Sequence, residues 1–160
     1  NLTFDGTTLT LGQGQIAFPA TQVASGGANV LDDYEEGTWT IGVSFGGGTV
    51  GITYGGQVAD YTKIGDRVLI TGRAVLSAKG TSVGAAVITG LPFTSDATPG
   101  HAVALRLDSV TFAAQYAGNI ANAAVSVALT ESTEAGVVTS LTDADFANTS
   151  EVYVGGQYGV

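Results

Sequence analysis

Four acids fall within five positions, Asp32, Asp33, Glu35 and Glu36, and form the densest cluster of chemistry-bearing side chains in the sequence. Several carboxylates in reach of one another would suit a hard cation such as Ca²⁺, which takes only oxygen ligands. The spacing is not that of an EF-hand loop, and adjacent residues of a strand point to opposite faces. The expectation is therefore capping, or pairing with Lys63, Arg67 or Arg73 across an interface between chains, with calcium as the weaker reading. A glycosidase needs two carboxyls flanking a sugar at roughly 5–10 Å. Sequence neighbours meet that only by accident, so no catalytic residue is assigned.

Other catalytic patterns are absent. His101 is the only histidine and has no nucleophile motif beside it. There is no cysteine, which removes disulfides, thiol chemistry and Cys-based zinc sites. Gly46-Gly47-Gly48 is not followed by Lys-Ser/Thr or a helix, so it reads as a turn rather than a phosphate loop. No cofactor is implied. The aromatics offer more. Tyr34, Trp39, Tyr54, Tyr61 and Tyr116 are candidate ligand-binding residues, with Tyr153 and Tyr158 as further stacking surfaces. The competing reading puts Trp39, on an alternating stretch, in the core or at an assembly axis.

Composition narrows the partners. Five basic residues stand against 14 acidic ones, for a net charge of −9, and no Lys or Arg follows Arg106. Such a chain cannot neutralise nucleic-acid phosphates or adhere to an anionic bilayer by charge. Charged residues make up only 12% of the chain, about half the usual quarter. Mean hydropathy is +0.30, yet no apolar run approaches the roughly 20 residues of a membrane span. A sparsely charged, mildly apolar chain of this kind has surface to cover, and homo-oligomerisation would cover it. The sequence opens in strand-like residues without Met or a signal-like segment, as a piece of a longer protein would.

The positioning elements are strands. Apolar residues recur with a period of two, not 3.6. Leu2, Phe4, Leu9 and Leu11 flank an Asp5-Gly6 turn signal. Residues 12–30 read as an extended connector. Thr38 to Phe45 alternates as one strand, Val50 to Tyr54 as another stopped by Gly55-Gly56, and Arg67 to Leu76 is the clearest of all. Val58 to Tyr61 leads to a turn at residues 63–66. Ala85 to Thr89 should end before Pro92 or lie at an edge. Thr94 to Gly100, with Pro99, reads as a loop, and His101 to Phe112 as a strand. Residues 113–129 fit two strands around Gly118-Asn119 or a short helix. Thr142 to Phe146 fits one helical turn capped by Thr142, and Glu151 to Val160 a closing strand.

Three segments also carry a resemblance. Ala28-Asn29-Val30-Leu31-Asp32-Asp33-Tyr34-Glu35-Glu36-Gly37-Thr38-Trp39-Thr40 is similar to the "ANTLDDYEEGTWTP" stretch of many bacteriophage tail-fibre and tailspike C-terminal regions. Residues 14–20 resemble what precedes it there. Tyr61-Thr62-Lys63-Ile64-Gly65-Asp66-Arg67-Val68 resembles the family's "YTKIGxRV", and Val87-Ile88-Thr89-Gly90-Leu91-Pro92-Phe93 its "ITGLPF". The ordered match covers residues 14–93, with a faint echo at Gly156 and Tyr158. Ile41 stands where the family usually has Pro, and Val30 replaces a common Thr.

The sequence thus predicts an all-β, jelly-roll-like antiparallel β-sandwich, with an extended N-terminal segment over 1–30 and a sandwich tip domain over 31–160. The resemblance implies a virion-exposed, extracellular homotrimer that serves trimerisation, attachment to host-surface polysaccharide, or both, without enzymatic activity. Alternatives are a purely structural or capsid-decoration module without a ligand and, more remotely, a glycan-degrading enzyme.

Overall fold

The computed structural model describes residues 2–160 apart from 5, 7, 8, 13, 20, 28, 98 and 99. A hairpin of β1 (Leu2–Phe4) and β2 (Leu9–Leu11) comes first, with Leu2 opposite Leu11 and Phe4 opposite Leu9. Asp5 of its expected turn, and Pro99 of the expected 94–100 loop, lie outside the described residues. Residues 14–19 and 22–27 have no regular secondary structure, and Thr21 lies at a bend.

Nine strands then form one curled antiparallel sheet. Their order is β3 (Tyr34–Thr38), β5 (Ile52–Ile64), β6 (Arg67–Lys79), β12 (Phe146–Gly159), β8 (His101–Val110), β9 (Gln115–Ile120), β10 (Ser126–Ser132), β7 (Ala86–Thr89) and β4 (Gly42–Phe45). A short β11 (Val138–Ser140) pairs with β10 off this path. Strand β8 changes layers along its length: residues 104–110 pair with β12 and residues 101–103 with β9. The sheet thereby folds over into two layers with the core between them. The protein is all-β and of the antiparallel sandwich class.

Alternation explains which side chains meet. On β6, Val68, Ile70, Ala74 and Leu76 are buried while Arg67, Leu69, Thr71 and Arg73 face solvent. The opposite layer returns Val43, Phe45, Ile88, Ile120, Val127 and Leu129 to the same core. Each such side chain contributes about 1.5–3 kcal/mol when removed from water. Phe45 meets Phe146 edge-on across the layers, with ring centroids 5.1 Å apart.

Several boundaries differ from the sequence expectation. Thr38–Phe45 is not one strand: β3 ends at Thr38, β4 begins at Gly42, and Trp39–Ile41 carries the chain from one layer to the other. The alternation persists through the crossing, because Trp39, Ile41, Val43 and Phe45 are all buried. Gly55-Gly56 does not stop β5, whose register instead shifts there as a bulge. Strand β5 also runs on to Ile64, so the following turn is narrower than residues 63–66. Residues 113–129 are strand rather than helix, but Gly118-Asn119 lies inside β9 and the turn falls at Asn122-Ala123, where Ala123 has a φ of 51°. Residues 143–145 form a single 3-10 turn, in which the Asp145 carboxylate accepts from both the amide and hydroxyl of Thr142.

The two end strands of the sheet, β3 and β4, are consecutive in the chain, and no ladder joins β4 to β5. Side chains seal that seam instead. The Tyr54 hydroxyl accepts from the Val43 amide at 2.7 Å and the Gln57 amide donates to the Ile41 carbonyl. The Trp39 amide donates to the Ala59 carbonyl at 3.1 Å, and its indole N–H to the Asp60 carbonyl at 3.3 Å. Beneath the seam lies Gly72. A Cβ there would stand 2.9 Å from Ile41 Cδ1 and 3.0 Å from Trp39 Cζ2. Gly72→Val should therefore displace the crossing and lower the unfolding free energy by about 2–3 kcal/mol, as overpacked cores do. Urea unfolding with an unchanged midpoint would refute that account of Gly72.

Candidate functional site

The acidic segment does not converge. Asp33 is buried and forms an ion pair with Lys63, equally buried. Asp32 accepts from the Ser25 amide at 2.7 Å and from Gln22 at 3.2 Å. The Ser25 amide foremost, with Gln22 and Lys63 acting the same way, holds the Asp32 carboxyl below its ordinary range despite partial burial. Glu35 accepts from the Tyr61 hydroxyl and Glu36 from that of Tyr34. Alternation sends Glu35 and Glu36 to opposite sides of β3. Among the described residues no three His, Asp or Glu side chains gather as a metal-ligand set. Of the expected pairings of these acids with Lys63, Arg67 or Arg73, one is made within the chain, and the two arginines take other carboxylates. Asp33 takes Lys63, Asp66 stands 3.9 Å from Arg67, and Arg73 bonds Glu151 at 2.9 Å.

This segment clamps the connector. The Lys63 ammonium also donates to Gln22 Oε1 at 3.1 Å and lies 5.8 Å from the Phe93 ring centre. Tyr61 meets Phe93 edge-on at 5.3 Å and packs flat over Gly37, where a Cβ would stand 2.7 Å from its ring. The Tyr158 hydroxyl donates to the Phe93 carbonyl at 3.1 Å. The three segments that carry the family resemblance thus touch one another around Lys63 and Phe93, and their shared residues hold the fold together there.

The aromatic candidates scatter. Tyr34 is exposed on the edge strand. Trp39, 9% exposed, belongs to the core and offers no ligand face. Tyr54 and Tyr61 are half-buried with their hydroxyls bonded inside the chain. Tyr116 is half-buried against Phe112, with ring centroids 4.7 Å apart on the far layer. They form no common platform.

The outer faces of the two layers carry a sharper pattern. The face of β3, β5, β6, β12 and the second half of β8 bears Glu36, Asp60, Arg67, Arg73, Glu151, Arg106 and Asp108. Arg73 and Arg106 flank Tyr153 at 5.4 and 4.7 Å, and their carboxylate partners are Glu151 and Asp108. Arg73 foremost, then Tyr153, keeps the Glu151 carboxyl below its ordinary range. The other face is different. Its central row runs Val87, Ala128, Asn119, Ala102 through four paired strands, with Thr89 and Ser126 in the next row, while Ser44, which pairs with Val87 from β4, is buried. No described residue on it carries a charge, and Val125, Val137 and Val138 stand exposed at its rim. Sequence reasoning missed this face although its signal was present. Residues 37–59, 80–95 and 109–130 contain no Asp, Glu, Lys or Arg, and β4, β7, β9 and most of β10 come from those runs.

No family model, curated protein or solved structure matches the chain. Among the described residues no helix is long and apolar enough to cross a membrane.

Asp33→Asn should lower stability by about 3–5 kcal/mol, because the Lys63 ammonium would stay buried without its counter-charge. The double variant Asp33→Leu with Lys63→Met should recover most of that loss, since both charges are gone. Denaturant midpoints of the three proteins decide it, and a double variant as weak as the single one contradicts the assignment. A second expectation concerns alkali. The hydrogen bond to Glu35, then burial, pushes Tyr61 up to about 12, and burial pushes Tyr158 up to about 12. Both ionise near pH 10 when unfolded. The stability gained by keeping them neutral is complete below pH 10 and is lost as pH rises from about 10 to 12. The slope of unfolding free energy over that window should be shallower in Tyr61→Phe/Tyr158→Phe than in the parent protein.

Proposed function

We propose that this chain is the distal module of a bacteriophage tail fibre or tailspike, an extracellular virion part in which three copies join and present the module to host-surface polysaccharide. The observation that carries the reading is the uncharged sheet face bounded by exposed valines. Copies with a net charge of −9 repel one another, and a close contact through Glu- and Asp-bearing surface would desolvate like charges. The face of β7, β10 and β9 avoids that cost. Its side chains are small and uncharged, as depletion of charge at the buried centre of an interface requires. The ordered tail-fibre-like segments support the same reading from the sequence side.

In such an assembly the charged faces point outward, where they keep the particle dispersed and meet solvent or host. Attachment comes from number rather than tightness. Three equivalent weak sites on one tip raise the effective concentration for the second and third contacts and multiply residence on a polysaccharide coat. The module itself performs no covalent chemistry in this account.

Ala128 lies at the centre of the uncharged face. Ala128→Arg should turn a trimer into a monomer by sedimentation equilibrium while leaving the far-ultraviolet circular dichroism intact. A parent chain that sediments as a monomer at micromolar concentration, or an Ala128→Arg variant that stays trimeric, removes the basis for this assembly.

A further inference from the structure

We infer that a hollow on the charged face, between the Asp60–Thr71 pair and the Arg73–Tyr153 pair, is a subsite for one neutral, hydroxyl-rich ring: a hexose unit of a polysaccharide. The inference rests on the attachment reading for the source of its ligand and on the geometry alone for its chemistry. The hollow measures about 360 Å³ and is lined by Val58, Asp60, Thr71, Arg73 and Tyr153. That lies near the lower end of ligand sites, roughly 300–1,000 Å³. Asp60 and Thr71 are directly opposed on β5 and β6, and Arg73 is directly opposed to both Val58 and Tyr153. The two rows are two residues apart along the strands, about 7 Å, so a pyranose ring resting on the sheet over them reaches the polar groups of both.

The lining matches such a ring group by group. The Asp60 carboxylate takes no hydrogen bond from any described residue, unlike Glu36, Glu151 and Asp108 on the same face. A free carboxylate accepts from two vicinal hydroxyls at once. Across the hollow Arg73 spends its Nε and Nη2 on Glu151 and keeps Nη1 to donate to a hydroxyl or ring oxygen. The Thr71 hydroxyl serves as donor or acceptor. Val58, 68% exposed, offers the apolar contact that the C–H face of a hexose seeks. Charge selects among sugars. Arg73 is already matched by Glu151, so Asp60 leaves the hollow net negative, and a carboxylated or phosphorylated unit is repelled.

The test follows backbone amides by nuclear magnetic resonance in the full chain, titrated with maltotriose, mannotriose and galactotriose as neutral probes and trigalacturonate as the anionic one. Saturable shifts at Thr71, Gly72 and Val154 are expected with at least one neutral probe and none with trigalacturonate. Asp60→Asn should weaken that binding by about tenfold or more with sedimentation unchanged. Three silent neutral probes, a preference for trigalacturonate, or unaltered binding by Asp60→Asn each overturn the inference. So does a shift of the same amides on dilution of the ligand-free protein, since that would mean a second copy covers this face. A chain that proves monomeric yet gives the neutral-sugar shifts fails the assembly reading and upholds the subsite.

Discussion

A curled sheet whose two end strands are consecutive in the chain must be closed by something other than a ladder. Here the chain itself crosses the gap. Three residues, Trp39 to Ile41, step from one layer to the other, and their buried members lie against the bare backbone of Gly72. Tyr54 and Gln57 then reach across to bond the edge of β4. A free strand edge invites pairing with foreign strands, and covering it with side chains removes the invitation. The two layers, the core between them and the orientation of both outer faces follow from this closure, because it decides on which side of the core each strand lies.

The consequence for function is a segregation of charge. Closure turns β7, β9 and most of β10, all from charge-free runs of sequence, toward one side and collects most of the paired acids and bases on the other. The two faces lie on opposite sides of the core, so the acids of one are held a full two layers away from the other. Two uncharged faces can therefore meet without bringing acids into contact. The charged face keeps its groups mutually compensated, with Arg73 on Glu151 and Arg106 on Asp108, and leaves Asp60 as the acceptor with no partner among the described residues.

The acidic segment shows how composition misleads about chemistry. Four acids in five positions look like a metal or catalytic site. Extended backbone separates them onto two sides, and each finds its own donor: an amide and Gln22, an ammonium, and two phenols. What they accomplish is positional. Asp32 and Lys63 bind the connector through Gln22 and Ser25, and Asp33 keeps the Lys63 charge tolerable in a buried place. The residues that resemble tail-fibre sequences meet around the same lysine, which gives a packing reason for their occurring together.

Much of the fold was legible from the residues alone. A period of two, glycine-rich turns and β-branched runs determined an all-β chain, and alternation on Arg67–Leu76 determined which of its side chains enter the core. The same alternation held through Trp39 and Ile41, so their burial was readable while the break in the strand was not: a layer change preserves the inward sequence of side chains and alters only the hydrogen-bond partners. Gly55-Gly56 and Gly118-Asn119 looked like turns, but glycine also serves bulges and close packing, and only the neighbouring strands choose between those uses. Which face is charged and which is bare was settled by strand order, since β4, β7 and the β9–β10 hairpin are distant in sequence and become neighbours only when the sheet is wound. The pairing of Asp60 with Thr71 beside Arg73 and Tyr153 has the same origin, because register between strands is a property of the folded sheet and not of any one segment.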